Sequence, residues 1–188
     1  MDHYRDFKIL NDPDFPPSML MNALFTKLHR LLVKLESIQI GISFPSVKQD
    51  KPFLGNILRL HGTLDALNEL KKENWLKGMR DHLQISECKA VPTDAKYCRV
   101  RRVQVKSNAE RLRRRYLKRH EGVTESDILS MIPNTVEKRL SFPFIQMKSE
   151  STGQAFRLFI EHLPAQETAV AGVFNRYGLS QEGTIPWF

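Results

Sequence analysis

Six histidines, His3, His29, His61, His82, His120 and His162, are the side chains in this sequence best suited to moving a proton near neutral pH. None stands in an HExxH helix or a Cys/His cluster, and no carboxylate pair has metal-ligand spacing, so a zinc site or a two-metal nuclease has no visible ligands. Cys88 and Cys98 form neither a CxxC motif nor a disulfide framework and read as small apolar residues. Were the substrate a nucleic acid, its hydrolysis would have to proceed without metal. RNA allows this, because its own 2′-hydroxyl, once deprotonated by a base such as imidazole, attacks the adjacent phosphate and leaves a cyclic phosphate and a free 5′-hydroxyl. Residue types alone do not choose among the histidines. His29 lies about 140° around its helix from the leucine stripe, beside Met21, Phe25 and Leu32, where a lone histidine is more commonly a solvated or second-interface residue.

The charge distribution names the class of partner. Of the 188 residues, 29 are Lys or Arg and 21 are Asp or Glu, a net charge of +8. Between Lys96 and His120 stand eleven cations and one acid, Glu110, so this segment carries +10 and the remainder −2. A solvated helix face interleaves both signs, whereas a single-sign block is the footprint of a polyanion binder, above all of nucleic acid. On a helix, Arg111, Arg114, Arg115, Lys118 and Arg119 fall within an arc of about 140°, a ridge whose guanidiniums suit phosphate. In the strand before it, Arg102 and Gln104 are two apart and share a face; Arg pairs with guanine and Gln with adenine, so adjacent purines at a duplex end would satisfy both.

The elements that position these residues follow from periodicity. Tyr4–Leu10 reads as a strand, and Leu20, Leu24, Leu28, Leu31 and Leu35 form one stripe of a helix running from Ser18 to about Glu36. Ile38, Ile40 and Ile42 alternate as a second strand and Ile57–His61 as a third. Gly62-Thr63 caps a helix with Leu64, Leu67 and Leu70, and Leu83–Val91 is a weaker fourth strand. The order β-α-β-β-α-β is the split βαβ arrangement of a ferredoxin-like domain, a fold shared by RNA-recognition modules and by unrelated functions. Lys89–Asp94, with Pro92, reads as a linker. Beyond it come a strand over Tyr97–Lys106, a capping box at Ser107–Glu110, a helix over Asn108–Arg119, and a short helix from Thr124 to before Pro133. A hairpin of Phe144–Lys148 and Ala155–His162 follows. The expected molecule is α+β, with a ferredoxin-like (RRM-like) domain over residues 1–93 and an α+β domain carrying the arginine-rich helix over residues 94–188. The longest uncharged run, Phe15–Thr26, spans 12 positions, short of the roughly 20 a membrane helix needs. With no secretory signal after Met1, a cytoplasmic protein is expected.

Several motifs together resemble one family, the CRISPR-associated repeat-processing endoribonucleases of subtype I-F, or Csy-type. They are Met1-Asp2-His3-Tyr4 with Phe15-Pro16-Pro17, Lys27-Leu28-His29, Arg80-Asp81-His82-Leu83-Gln84, Arg102-Val103-Gln104-Val105-Lys106-Ser107-Asn108 and Glu110-Arg111-Leu112-Arg113-Arg114-Arg115. Ser151-Thr152-Gly153-Gln154 with Phe156-Arg157-Leu158-Phe159-Ile160, and Tyr177-Gly178-Leu179-Ser180 with Pro186-Trp187-Phe188, complete the set. The resemblance spans essentially the whole chain. It implies an enzyme without cofactor or metal that binds the stem-loop of each CRISPR repeat, cuts the precursor once at the 3′ foot of the stem, and stays on the product with the other Csy-type subunits of a surveillance complex. By the same resemblance, His29 matches the general base and Ser149 the serine holding the 2′-hydroxyl. Arg102 and Gln104 match the readers of the last purines, and Phe156 the aromatic that stacks on the terminal base pair. Arg114, Arg115, Lys118 and Arg119 match the groove-inserted helix, with Arg111, Ser107 and Asn108 beside it, and Ser151, Thr152 and Tyr177 match residues around the scissile phosphate. From pattern alone Phe156, which alternates with Leu158 and Ile160, is a core residue. The alternatives are a non-catalytic RNA-binding module and, more remotely, a DNA-binding regulator.

Overall fold

The computed structural model describes residues 1–48, 51–104, 109–120, 125–133, 142–150 and 152–188, with backbone alone at residues 110, 111, 125 and 126. The protein is α+β with antiparallel sheets, and the chain gathers into two compact units: Met1–Val103 with Phe142–Phe188, and Gln104–Ser141.

The first unit opens with β1 (His3–Ile9), α1 (Pro17–Lys34), β2 (Gly41–Ser43), β3 (Ile57–Gly62), α2 (Leu64–Lys72), β4 (Leu83–Ile85) and β5 (Lys89–Ala90). The strands form an antiparallel sheet in the order β2-β3-β1-β4, with β5 also paired to β1. Along β1 and β3 the alternation separates two faces. Phe7, Leu58 and Leu60 lie on the face that receives the helices, with α2 packed on both strands. Asp6 and Arg59 pair directly on the other.

Helix α1 starts cleanly because Pro17 has no N–H to leave unpaired at the first position. It ends in a Schellman closure: Glu36 at φ 52°, with Ser37 N–H donating to Leu32 O (3.1 Å) and Glu36 N–H to Val33 O (3.2 Å). Beside the expected leucine stripe a second one, Met21, Phe25 and Leu32, is also buried. It faces a second sheet, β7 (Val100–Val103), β9 (Ala155–His162) and β8 (Phe144–Lys148), in the order β7-β9-β8, whose edge strand β8 packs on α1. Asn22 Oδ1 fixes that seam by accepting from Gln146 N–H at 3.0 Å. A small ladder of β6 (Lys96–Cys98) with β10 (Ile185–Trp187) returns the C-terminal segment to the unit, and buries Phe174, Leu179 and Ile185 in the same core.

Three strand expectations are corrected. The strand proposed from Ile38 begins only at Gly41, because the helix closure consumes Ser37 and leaves Ile38 half exposed (50%). Leu83–Val91 is two strands rather than one, interrupted where Ser86 Oγ accepts from Asp6 N–H (2.9 Å); the second, β5, occupies part of the expected linker and pairs with β1. Tyr97–Lys106 breaks at Arg99, where the chain leaves its ladder with β10 for one with β9. The hairpin strands β8 and β9 fall where the sequence placed them.

In the second unit, α3 (Ala109–Leu117) stops two residues short of the expected Arg119, so Lys118 and Arg119 lie in the turn that follows. Tyr116 and His120 stack there, with rings 4.1 Å apart. Helix α4 spans Glu125–Met131, and Arg113 Nε donates to Ile132 O at 2.8 Å. The expected capping box at Ser107–Glu110 falls on residues 107 and 108, outside the described ones, and on the Glu110 side chain. Among the described residues no helix is long and apolar enough to cross a membrane.

Two histidines of the first unit are structural. His61 Nε2 lies 2.8 Å from Ser43 Oγ, and burial, reinforced by the Arg59 charge, holds its pKa well below the usual imidazole value. His162 Nε2 accepts from Phe44 N–H (3.2 Å), which only an unprotonated nitrogen can do, and burial lowers its pKa to about 4. Below the ordinary value of 6.5 the unfolded chain therefore takes up protons that the folded chain refuses, so stability is complete above pH 6.5 and declines as pH falls towards 4. The decline from His162 amounts to about 3 kcal/mol. Urea unfolding at pH 7, 5.5 and 4.5 should show this loss, and His162→Gln should make the decline shallower, leaving the part that His61 contributes; an unaltered slope in the variant would reject the assignment.

Candidate active site

A cleft of about 330 Å³ opens in the first unit between α1 and the β8–β9 hairpin. Thr26, His29, Arg30 and Val33 line it from the helix, Met147, Lys148, Ser149 and Glu150 from the end of β8, Phe156 from β9, and Tyr177 from the C-terminal segment. Three distant stretches of sequence, carrying His29, Ser149 with Phe156, and Tyr177, are thus brought together.

The imidazole of His29 is oriented from two directions. Its Nδ1 lies 2.8 Å from Arg176 O, and because a carbonyl only accepts, Nδ1 must carry the proton. In the neutral ring this leaves the Nε2 lone pair as the basic site. The ring also stacks on Tyr177, with centroids 4.3 Å apart and planes 11° from parallel, and Tyr177 in turn lies parallel to buried Phe25 at 6.5 Å. On the second stripe of α1, Phe25 anchors the aromatic stack while His29, one turn later, sits half buried at its rim.

The C-terminal support is a tight turn over Asn175–Leu179. Asn175 Oδ1 accepts from Tyr177 N–H (2.8 Å) and Leu179 N–H (3.3 Å), and the backbone adds Gly178 N–H to Asn175 O (2.8 Å) and Asn175 N–H to Leu179 O (2.9 Å). Gly178 adopts φ 71°, and its carbonyl accepts from Ile42 N–H at 3.0 Å. The Arg176 side chain reaches back to Val33 O (3.3 Å) at the end of α1. On the opposite wall, Thr152 N–H donates to Ser149 Oγ (3.3 Å), and Ser149 O accepts from Gly153 N–H (2.9 Å), so the hairpin loop folds around the serine. Glu150 pairs with Arg30 across the cleft mouth at 2.7 Å; both are exposed, and the pair positions the loop more than it stabilises it.

The remaining candidates lie as follows. Arg102, on β7, holds its guanidinium 5.8 Å from the centre of the Tyr177 ring, which links it to the stack at His29. Gln104 follows β7 directly and is exposed. Phe156 packs against the core yet keeps part of its ring on the cleft, whereas Leu158 and Ile160 are fully buried. Thr152 is exposed beside Ser149; Ser151 lies outside the described residues, as do Ser107 and Asn108. Arg114, Arg115, Lys118 and Arg119 are exposed in the second unit, and the Arg111 side chain is not described. Among the described residues no three His, Cys, Asp or Glu side chains stand together as a metal-ligating group. Sequence reasoning missed Arg176 and Asn175: a backbone carbonyl leaves no trace in residue type, although Asn175 three residues before Gly178 is a recognisable turn signal.

The model of the CRISPR-associated protein family Cas_Csy4 matches residues 4–188. The chain belongs to this family. It is 49% identical over 188 residues to the CRISPR-associated endonuclease Cas6/Csy4 of Pseudomonas aeruginosa (strain UCBPP-PA14), covering 100% of both chains. It is 44% identical, again over 188 residues and 100% of both chains, to the CRISPR-associated endonuclease Cas6/Csy4 of Escherichia coli (strain UTI89 / UPEC). The family is thus one of CRISPR-associated endonucleases.

The turn that carries Tyr177 depends on Gly178. A Cβ there would stand 2.6 Å from Ile42 Cγ2 in a left-handed backbone conformation, so Gly178→Ala should destabilise the protein by about 1–3 kcal/mol. Denaturant unfolding that leaves the midpoint unmoved would contradict this assignment of strain.

Proposed function

We propose that this protein is a CRISPR RNA-processing endoribonuclease that binds the repeat stem-loop and cuts the precursor at the 3′ foot of the stem without a metal. The observation that carries the reading is the His29 ring, its Nδ1 proton committed to Arg176 O, in a cleft shared with Ser149, Phe156 and Tyr177. Membership of the Csy4 family supports the substrate class, since its relatives are named CRISPR-associated endonucleases.

In this reading Ser149 holds the 2′-hydroxyl and His29 Nε2 takes its proton. The 2′-oxygen forms a bond to phosphorus in line with the P–O5′ bond, which breaks; the 5′-oxygen leaves and is protonated, and the products end in a 2′,3′-cyclic phosphate and a 5′-hydroxyl. Tyr177 keeps the imidazole in plane, and Thr152 and Ser151 border the scissile phosphate. Phe156 stacks on the terminal base pair, an interaction worth about 1–3 kcal/mol for such rings. Arg102 and Gln104 read the last two purines, while Arg111, Arg114, Arg115, Lys118 and Arg119, with Ser107 and Asn108, hold the stem through salt-sensitive phosphate contacts. Residues 1–93 supply the base within a ferredoxin-like fold, and residues 94–188 supply the RNA-binding surface. Because most contacts lie on the stem rather than on the released fragment, the enzyme keeps its product and stays on it with the other subunits of a Csy-type complex; its place of work is the cytoplasm.

The test is a repeat stem-loop RNA incubated with chelator, with the products resolved by their termini. Cyclic phosphate with the native protein, its loss in His29→Ala with binding retained, and no cutting of an RNA carrying a 2′-deoxy residue at the cut site are expected. Activity that appears only on adding metal would sink the scheme, and binding without any cyclic phosphate would favour a non-catalytic RNA-binding module.

A further inference from the structure

We propose that Asn175 is a positioning residue for the reaction: by holding the Asn175–Leu179 turn it keeps His29 in the one tautomer that can act as a base. The inference rests on the reading of His29 as that base and extends it to a side chain outside the cleft lining.

A neutral imidazole carries its proton on either nitrogen, and only the form with hydrogen on Nδ1 leaves Nε2 able to accept one from a ribose. The selection is made by the acceptor at Nδ1, which here is not a carboxylate but the carbonyl of Arg176, 2.8 Å away. A backbone carbonyl sits where its turn places it. Besides its backbone bonds, this turn is held by one side-chain amide oxygen, Asn175 Oδ1, which gathers the N–H groups of Tyr177 and Leu179 on either side of Gly178. Both partners are donors, so the amide orientation is fixed by the network. The same two bonds set the direction of the Tyr177 ring that stacks on His29 at 4.3 Å. Asn175 therefore governs both restraints on the imidazole, the hydrogen bond and the stack, without touching it. Asn175 is itself exposed, so truncating it removes no core packing. The Arg176 side chain, tied to Val33 O, keeps the turn near α1 when Asn175 is lost, which makes the expected defect one of orientation rather than of folding.

Asn175→Ala should slow single-turnover cleavage of the stem-loop RNA, by up to about a hundredfold for a misplacement near 1 Å, with affinity for a 2′-deoxy-blocked RNA unchanged within about twofold. The ratio of neutral tautomers does not depend on pH, so the loss should be uniform wherever the imidazole is neutral. Asn175→Asp, whose carboxylate can still accept both N–H groups, should restore most of the rate at neutral pH. The 15N shifts of the His29 ring in the free protein give a readout that simple loss of stability would not move: one tautomer in the native protein and in Asn175→Asp, a mixture in Asn175→Ala. Native cleavage by Asn175→Ala with unchanged ring shifts would overturn the proposal, as would Asn175→Asp being as slow as the alanine variant. If instead His29→Ala cleaves normally, it is the reading of His29 as the base that fails, and that result is obtained independently of any Asn175 variant.

Discussion

A helix buried along two stripes has only its rims left for polar work, and that constraint on α1 organises the first unit. The leucine stripe seats the helix on the β1–β3 sheet, while Met21, Phe25 and Leu32 seat it against the β8 side of the second sheet. Each fully buried side chain of this size contributes about 1.5–3 kcal/mol through apolar burial, so neither face can be surrendered without undoing the fold. His29 and Thr26 fall on the narrow margin where the second stripe meets solvent, and the cleft is the gap left between helix and hairpin at that margin. The site is thus a by-product of how the two sheets share one helix.

The histidines illustrate how environment divides one residue type into separate roles. His61 and His162 are enclosed, kept neutral by burial, and used as hydrogen-bond partners of Ser43 and of the Phe44 amide. His120 stacks on Tyr116 in the second unit, and His82 pairs with Asp12 at 2.9 Å. Only His29 combines a half-open position, an acceptor that fixes one nitrogen, and a neighbouring serine and aromatic in a shared concavity. Charge is divided in the same manner. Arg59 in the first unit is committed to Asp6 (2.7 and 2.9 Å) and lies between Tyr4 and Phe188, so it works in the core, whereas the exposed cations of α3 and its following turn remain at the surface.

What the sequence made legible, and what it did not, follows from the range of the interactions involved. The β8–β9 hairpin, the cap at Thr63 and the leucine stripe of α1 are local patterns, and each was readable from spacing. The second stripe of α1 was visible as residues but not as burial, because its partner β8 lies more than a hundred positions away. Broken strands escaped for the same reason: nothing in the sequence announces that Lys96–Cys98 pairs with β10 and Val100–Val103 with β9, and residues 105 and 106 of the expected strand lie outside the described ones. Phe156 shows the limit most clearly. Alternation with Leu158 and Ile160 makes it a core residue, and it does touch the core, yet strand β9 runs out beside the cleft, so part of the ring stays uncovered. The grouping of His29, Ser149 and Tyr177 rested on likeness to a family, since no sequence spacing relates positions 29, 149 and 177.

Orientation by a carbonyl has a physical consequence that distinguishes this site from one built on a carboxylate. A carboxylate behind an imidazole fixes the tautomer and also adds a negative charge within the cleft, which on the proposed reading would oppose the entry of a polyanion. Arg176 O fixes the ring without that charge, and Glu150, the one carboxylate among the described residues lining the cleft, is matched by Arg30 at 2.7 Å. Lys148 and Arg30 then leave the cleft walls cationic on balance, and the Arg102 guanidinium over Tyr177 adds to the same sign. On the proposed reading, a phosphodiester approaching the gap would meet attraction and a pre-set proton acceptor together, so little reorganisation would remain for the moment of reaction. The demand is thereby moved from charge to shape: a neutral acceptor orients only as well as its backbone is held, and that is why so much hydrogen bonding converges on a five-residue turn from Asn175 to Leu179.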